Sequence, residues 1–309
     1  MTDHKHDELK LVVVGSNGLD DIETPFTKRQ RLLGGSVSYA CAGASFFTRT
    51  GMVGIVGEDF PEEYLAMYRH FGIDLDGLQR AAGQTFAWSG VYDADMINRR
   101  TLATALNVFA DFMPELPDAY RDAPFLLLGN ISPELQLHVL NEARDPRFVT
   151  ADTMDLWIET AREPLMELIG RIDMLTLNDS EARLLTGEYH LKKAAAKMLE
   201  WGPSFVVIKK GEHGAMLFSR MGVFLLPAYP VEEVVDPTGA GDTFAGGFMG
   251  HLASANEASE TVVRESLLYG SVIASYGVEA FSLDRLQALH IDQVWDRYGD
   301  FRSMLHPGV

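Results

Sequence analysis

Short apolar runs recur along the chain: KLVVVG (10–15), GMVGIVG (51–57), PFLLLGNI (124–131), RFVTAD (147–152), DMLTLN (173–178) and SFVVIKKG (204–211). Each is nearly unbroken in hydrophobicity, as strands covered on both faces are. Between many of them lie segments with apolar residues three and four apart: PEEYLAMYRHFG (61–72), SPELQLHVLNEAR (132–144), EPLMELIG (163–170), DSEARLLTG (179–187) and LKKAAAKMLEWG (191–202). That spacing predicts amphipathic helices. Strands alternating with helices predict an α/β fold with parallel pairing and helices on both faces of the sheet. After Pro230 the rhythm changes to long helical patterns, at about 240–254, 257–276 and 292–305.

Two segments fall outside this rhythm, DDIETPFTKRQRLL (20–33) and TFAWSGVYDADMINRRTLATALNVFADF (85–112). The second reads as strands on either side of an Asp-Ala-Asp turn, with Phe86, Trp88, Val91 and Tyr92 before it and Thr101, Leu102 and Thr104 after it. Both segments are expected to form a small β-rich lid at the sheet edge. No repeat, low-complexity tract or linker interrupts the chain, so residues 1–309 are read as a single domain carrying that lid.

Composition narrows the function classes. The 309 residues are 47% hydrophobic and 23% charged, ample for a large core. A formal net charge of −18 opposes a general nucleic-acid or anionic-membrane surface. It does not oppose a small anion held at short range by backbone N–H groups. No apolar run approaches the ~20 residues that cross a bilayer. MTDHKHDELK lacks the apolar core of a secretory signal, so a cytoplasmic location is expected. Cys41 is the single cysteine and excludes an internal disulfide; it is expected in the core.

The chain has no Walker-type phosphate loop, dinucleotide G-x-G-x-x-G, G-x-S-x-G elbow, H-E-x-x-H or paired C-x-x-C. Chemistry concentrates instead in EEVVDPTGAGDTFAGGFMGHL (232–252). Pro237 ends an extended run. Gly239, Ala240 and Gly241 precede a helix-compatible stretch, whose first N–H groups and positive dipole end form an anion hole. Asp242 stands at its mouth. A carboxylate there has the wrong sign to hold phosphate and the right sign to accept a proton from a hydroxyl attacking that phosphate. The competing reading is a plain helix cap. Asn178 and Glu181, three apart after a strand, likewise admit two readings: a water-mediated Mg²⁺ holder or a capping box. KKGEHGA (209–215) reads as a hairpin turn.

DPTGAGDTFAGGFMG resembles the C-terminal signature of the ribokinase (PfkB) family of carbohydrate kinases, and other stretches agree in order and spacing over most of the chain. VVVGSNGLDDIE resembles the family's first strand with its substrate-contacting Asp, here Asp20. GGSVSYA falls at its Gly-Gly motif (Gly34, Gly35), NDSE at its N-x-x-E motif, and KKGEHGA at its nucleotide-side glycine turn. The resemblance implies a three-layer ribokinase-like fold, with a mostly parallel central sheet, helices on both faces and a small β-rich lid. It implies an ATP-dependent kinase with Asp242 as base and Gly239, Ala240 and Gly241 as anion hole. Asn178, Glu181, Lys209, Gly211, Gly214 and Thr238 would serve the nucleotide, with Mg²⁺ held through water by Glu181 and adenine near residues 266–277. Asp20, Gly34, Gly35 and Tyr39 would line the acceptor site, and Asp236 would sit at a monovalent-cation (potassium) site beside the segment after Gly277.

Departures blur the acceptor. Tyr39 stands where the family usually has an Asn, and Met154 and Leu156 replace an Asn and an Arg that sugar-specific members carry. The expected partner is therefore a small sugar, polyol or nucleoside, with homodimers through the lid a family habit. A sugar or polyol kinase leads; a nucleoside kinase and a non-catalytic nucleotide or sugar sensor are the alternatives. Asn98, Arg99 and Arg100 are read as solvated turn residues ahead of a substrate-phosphate site. Phe86, Trp88 and Tyr92 are read as lid packing ahead of base stacking. His4 and His6 are read as a disordered tail ahead of a metal pair.

Overall fold

The computed structural model describes residues 8–96 and 99–306; His4, His6 and Asn98 lie outside them. Thirteen strands form two sheets. The large sheet contains β1 (Leu11–Val14), β4 (Thr50–Val56), β5 (Asp74–Arg80), β8 (Phe125–Leu128), β9 (Phe148–Asp152), β10 (Met174–Asn178), β11 (Phe205–Lys209), β12 (Ala215–Ser219) and β13 (Gly222–Leu226). Its order is β13-β12-β11-β10-β9-β8-β1-β4-β5. All pairs from β11 to β5 are parallel, and β12 and β13 add an antiparallel hairpin at one edge. The small sheet is β3 (Lys28–Gly34), β2 (Gly18–Glu23), β6 (Ala87–Tyr92) and β7 (Arg99–Ala105), in that order.

The period of two along β1 explains its unbroken hydrophobicity. Leu11 and Val13 point into one core, shared with helices Ser36–Ala44, Ala240–Ala255 and Glu260–Gly277. Val12 and Val14 point into another, under helices Pro133–Glu142, Arg162–Ile169, Asp179–Thr186 and Leu191–Glu200. The three layers expected from the alternation are present, and helices Ile291–Leu305, Glu260–Gly277 and Ala240–Ala255 match the long C-terminal patterns.

Helix Ser36–Ala44 was not legible as a helix, because all its residues are buried and it has no polar face to create a period. Its neighbour Ala240–Ala255 approaches it at glycines. A Cβ on Gly246 would stand 2.0 Å from Ala40 O, one on Gly250 2.7 Å from Ala44 Cα, and one on Gly43 2.7 Å from Thr243 O. Strands β5 (DLDGLQR) and β13 (GVFLL) also escaped the pattern reading; both are sheet edges, with only one residue each fully buried. No helix of the described residues is long and apolar enough to cross a membrane.

The chain crosses from one wing of the large sheet to the other between β5 and β8, so the strand order reverses at the β1–β8 pair. In open parallel sheets the crevice beyond the carboxyl ends at such a reversal is the usual ligand site.

Candidate active site

Three neighbouring parallel strands end in polar residues at that crevice: β9 in Asp152, β10 in Asn178 and β11 in Lys209. Registers Thr176↔Asp152 and Asn178↔Lys209 bring them side by side. Lys209 Nζ donates to Asp152 Oδ2 at 2.8 Å, and both side chains are largely removed from solvent. Burial works against the Lys209 ammonium, but the carboxylates of Asp152 and Glu181 more than reverse it and raise its pKa.

Asn178 caps the next helix. Its Oδ1 accepts from the Glu181 N–H at 2.8 Å, and Glu181 Oε2 accepts from the Asn178 N–H at 2.7 Å. The capping box is therefore real, and it fixes Glu181 on the cleft wall. Burial pushes the Glu181 carboxyl up to about 7; Lys209 opposes that shift and Asp152 adds to it.

The glycine turn precedes helix Ala240–Ala255. Gly239 adopts φ 73°, and a Cβ there would fall 2.3 Å from the Tyr39 ring, so glycine is required on both counts. The turn consumes part of the expected N–H nest: Ala240 donates to Pro237 O at 3.2 Å and Thr243 to Gly239 O at 2.8 Å. Gly241, in the first turn, has no intrahelical acceptor for its N–H. Its Cα faces Lys209, whose Nζ would lie 3.2 Å from a Cβ at that position. Asp242 is partly buried. Burial and the Asp152 charge push its carboxyl up to about 7, against the pull of Lys209 and Arg99.

On the other side of the crevice Asp20 is 4% exposed. Its carboxyl is pushed up to about 7, first by burial, then by Asp236 and Asp21, with Arg99 opposing. A Cβ on Gly34 would strike Asp20 Oδ2 at 2.0 Å, so Gly34 makes room for the acid. Gly35, at φ 89°, presses on Ser16 O. A point one bond off the Gly18 Cα lies 3.0 Å from the Phe86 ring and 3.2 Å from Asp20 Oδ1, so ring and carboxylate converge. Asp20 Oδ1, Tyr39 OH and Asp236 Oδ2 are buried without a hydrogen-bond partner. Asp236 Oδ1 accepts from the Thr238 N–H at 2.9 Å. Val235 and Asp236 both donate to Val278 O, which lays the segment after Gly277 alongside.

The lid reaches the same crevice. Tyr92 Oη and Thr238 Oγ1 are 2.9 Å apart, and Ile22 and Tyr92 pack on Phe281. Arg99 lies over the Trp88 ring at 5.7 Å. With Glu181, Asn178 and Pro237 it lines a cleft of about 310 Å³. Arg99 is exposed, in keeping with its reading as a solvated turn residue, and it also stands at this cleft. Asp152 is the strand-end residue that the sequence reading did not single out, and the Tyr92↔Arg99 register, invisible in sequence, is what sets Arg99 beside the cleft. Gly211 and Gly214 serve the β11–β12 turn, where Gly214 presses on Leu226 O of β13. Arg100 is exposed, and Cys41 is buried in the core as expected. A larger hollow of about 610 Å³ lies beside edge strand β5, away from the strand ends, and its charges pair among themselves, Arg121 and His138 with Glu142.

Comparison with known proteins gives the family and the fold. The model of the pfkB family carbohydrate kinases matches residues 4–285. A cytidine kinase of Thermococcus kodakarensis is 32% identical over 261 residues, 82% of this chain and 92% of that protein. A nucleoside kinase of Burkholderia thailandensis, in complex with inosine, superposes with a TM-score of 0.78 over 95% of this chain and 99% of its own at 19% identity. An E. coli protein assigned as ribokinase II, in complex with ATP and Mg²⁺, superposes with a TM-score of 0.78 over 94% and 99% at 16% identity. The last two establish the fold.

Proposed function

The chain belongs to the pfkB family of carbohydrate kinases and is a phosphotransferase with a hydroxyl acceptor, and we propose that it transfers the γ-phosphoryl group of ATP to a ribose hydroxyl of a nucleoside. The observation that carries the transfer is the placement of Asp242. A proton-accepting carboxylate stands beside the free N–H of Gly241 and within the field of Lys209. For the acceptor, the Phe86 ring and the Asp20 carboxylate meet over Gly18. An acid that takes a sugar hydroxyl next to an aromatic face suits a ribose bearing a flat base. The cytidine kinase and the inosine-bound neighbour support the same choice.

In this reading Asp20, with Gly34 and Gly35 giving it room, accepts hydrogen bonds from ribose hydroxyls, and Tyr39 bounds the pocket. Asp242 takes the proton of the attacking hydroxyl as the new O–P bond forms and the bond to ADP breaks. The Gly241 N–H, Lys209 and Arg99 offset negative charge on the phosphoryl in transit. The nucleotide lies along Thr238 and the Gly211–Gly214 turn. Its adenine lies toward helix Glu260–Gly277.

Glu181, partly buried, ionisable and poised near neutrality, fits a hydrated Mg²⁺ carried in with the phosphates, with Asn178 fixing its geometry. Such an ion supplies charge neutralisation between phosphate oxygens. The unpartnered Asp236 Oδ2 beside the backbone of 277–282 fits a monovalent cation such as K⁺.

A free sugar or polyol is the second reading. It is favoured by the unpartnered Tyr39 hydroxyl, which adds a second polar contact beside Asp20. ADP release with ATP, Mg²⁺ and a panel of nucleosides, ribose, other sugars and inositols decides between them. The expected result is kcat/KM at least tenfold higher for a nucleoside than for any free sugar or polyol. A sugar or inositol leading the panel overturns the nucleoside assignment. ATP binding without turnover of any member overturns the enzymatic reading in favour of a sensor.

A further inference from the structure

We propose that Asp152 is a positioning residue, whose carboxylate holds the Lys209 ammonium against the Gly241 backbone and so keeps a positive charge in place where the phosphoryl group passes. The inference rests on the phosphoryl-transfer reading above.

Asp152 is 6% exposed, and both its oxygens are occupied. Oδ1 accepts from the Thr153 N–H at 2.9 Å and Oδ2 from Lys209 Nζ at 2.8 Å. With each oxygen already bonded and the residue almost wholly covered, the carboxylate is turned to the lysine rather than to a ligand. Its backbone is fixed as well. Gln136 Nε2 donates to Asp152 O at 2.9 Å, to Gly129 O at 2.9 Å and to Leu128 O at 3.2 Å, tying the carboxyl ends of β8 and β9 together.

The lysine tail also passes close to the Gly241 backbone. Its stem crosses the Gly241 Cα: a Cβ on Gly241 would stand 3.2 Å from Nζ, 3.8 Å from Cε and 3.9 Å from Cδ. Gly241 therefore leaves a lane for the ammonium as well as an open N–H. A free lysine tail has several rotamers to choose from, whereas this one has one partner, one lane and little solvent. A fixed charge that need not reorganise during the reaction is worth more to catalysis than a mobile one. An ion pair buried solely for stability is a poor explanation, since such pairs seldom stabilise a fold against apolar replacements.

The test compares Asp152→Asn, Lys209→Met and the double variant in the full-length protein, with ATP, Mg²⁺ and the best acceptor of the panel. Loss of one preorganised donor costs about 10²–10³ in turnover. Asp152→Asn is expected to lower kcat at least about tenfold while KM for ATP changes less than about threefold. Calorimetric binding of a non-hydrolysable ATP analogue is expected to stay within the same threefold. In the Lys209→Met background, Asp152→Asn is expected to cost less than about twofold further, because the residue it positions is gone. The double variant leaves no unpaired buried ion, and in Lys209→Met the Asp152 carboxyl can take up a proton instead, so that comparison does not need Asp152→Asn to fold alone. A kcat within twofold of the parent, a loss confined to KM, or an undiminished loss without Lys209 overturns the proposal. Absence of turnover in the parent protein would instead strike the phosphoryl-transfer reading.

Discussion

Asp20 offers a direct measurement of how much charge strain the crevice holds. Its carboxyl moves from an ordinary 3.8 to about 7 in the fold, with burial as the first cause and Asp236 and Asp21 behind it. Between those two values the folded protein keeps a proton that the unfolded chain has released. Stability from this group is therefore present in full below 3.8 and is lost as pH rises through about 7. Three units at about 1.4 kcal/mol each make the loss about 4 kcal/mol at pH 8, and about 2 kcal/mol at pH 5. Asp20→Asn removes the charge and keeps the shape, so its stability relative to the parent should improve by about 2–3 kcal/mol between pH 5 and pH 8. At about 2 cal/mol/K per residue of unfolding entropy, that is a relative rise in Tm of about 4 °C. The assay is differential scanning calorimetry of both proteins at the two pH values and one scan rate, without nucleotide or acceptor. A contribution from the amide itself is the same at both pH values and cancels. A relative Tm that is flat within 1 °C, or that falls toward pH 8, would refute the reasoning.

The same variant logic extends to the rest of the site. Asp242→Asn should lower kcat by at least about 10² at pH 8 with the best acceptor, as general-base losses run to ~10²–10⁴; a loss under tenfold in steady-state assays removes the base assignment. Gly246→Ala places a methyl 2.0 Å from Ala40 O, a backbone atom that cannot rotate away. Overpacking at the upper end, about 3 kcal/mol, less about 1 kcal/mol of helix propensity, leaves about 2 kcal/mol and should lower Tm by about 3 °C; an unchanged Tm would mean the helix seam is looser than drawn.

Period and composition were enough to read the parallel sheet, its two helical layers and the C-terminal helices, because strands such as LVVV and FLLL are covered on both faces. They failed where burial is total or nearly absent. Helix Ser36–Ala44 has no exposed face, and edge strands β5 and β13 bury too little to show a pattern. At the site, local motifs were legible and distant pairs were not. Asp242, Asn178 and Glu181 sit in short strings with their own geometry. Asp152 and Lys209 are 57 residues apart and meet only because β9 and β11 flank β10. Gly241 was read as an opening for a ligand, whereas its Cα is first an opening for Lys209. The capping box at Asn178–Glu181 shows that a structural and a chemical reading of one motif can both hold, since the bonds that cap the helix also aim the carboxylate.

The reversal of strand order divides the chain as well as the sheet. β1 through β7, with Asp20, Tyr39 and the lid, come from the first third; Asp152, Asn178, Lys209 and Asp242 all come after β8. The two parts meet at helices Ser36–Ala44 and Ala240–Ala255, and there the contact is glycine against main chain, at Ala40 O and Ala44 Cα. Where the two helices touch, backbone meets backbone, while Tyr39 on Gly239 and Phe47 on His251 and Tyr269 are the side chains that a transplanted first third has to keep. A graft of a relative's first third onto this chain's remainder is therefore expected to bring a different acceptor preference and to exchange Arg99, while Asp152, Asn178, Lys209 and Asp242 stay in place.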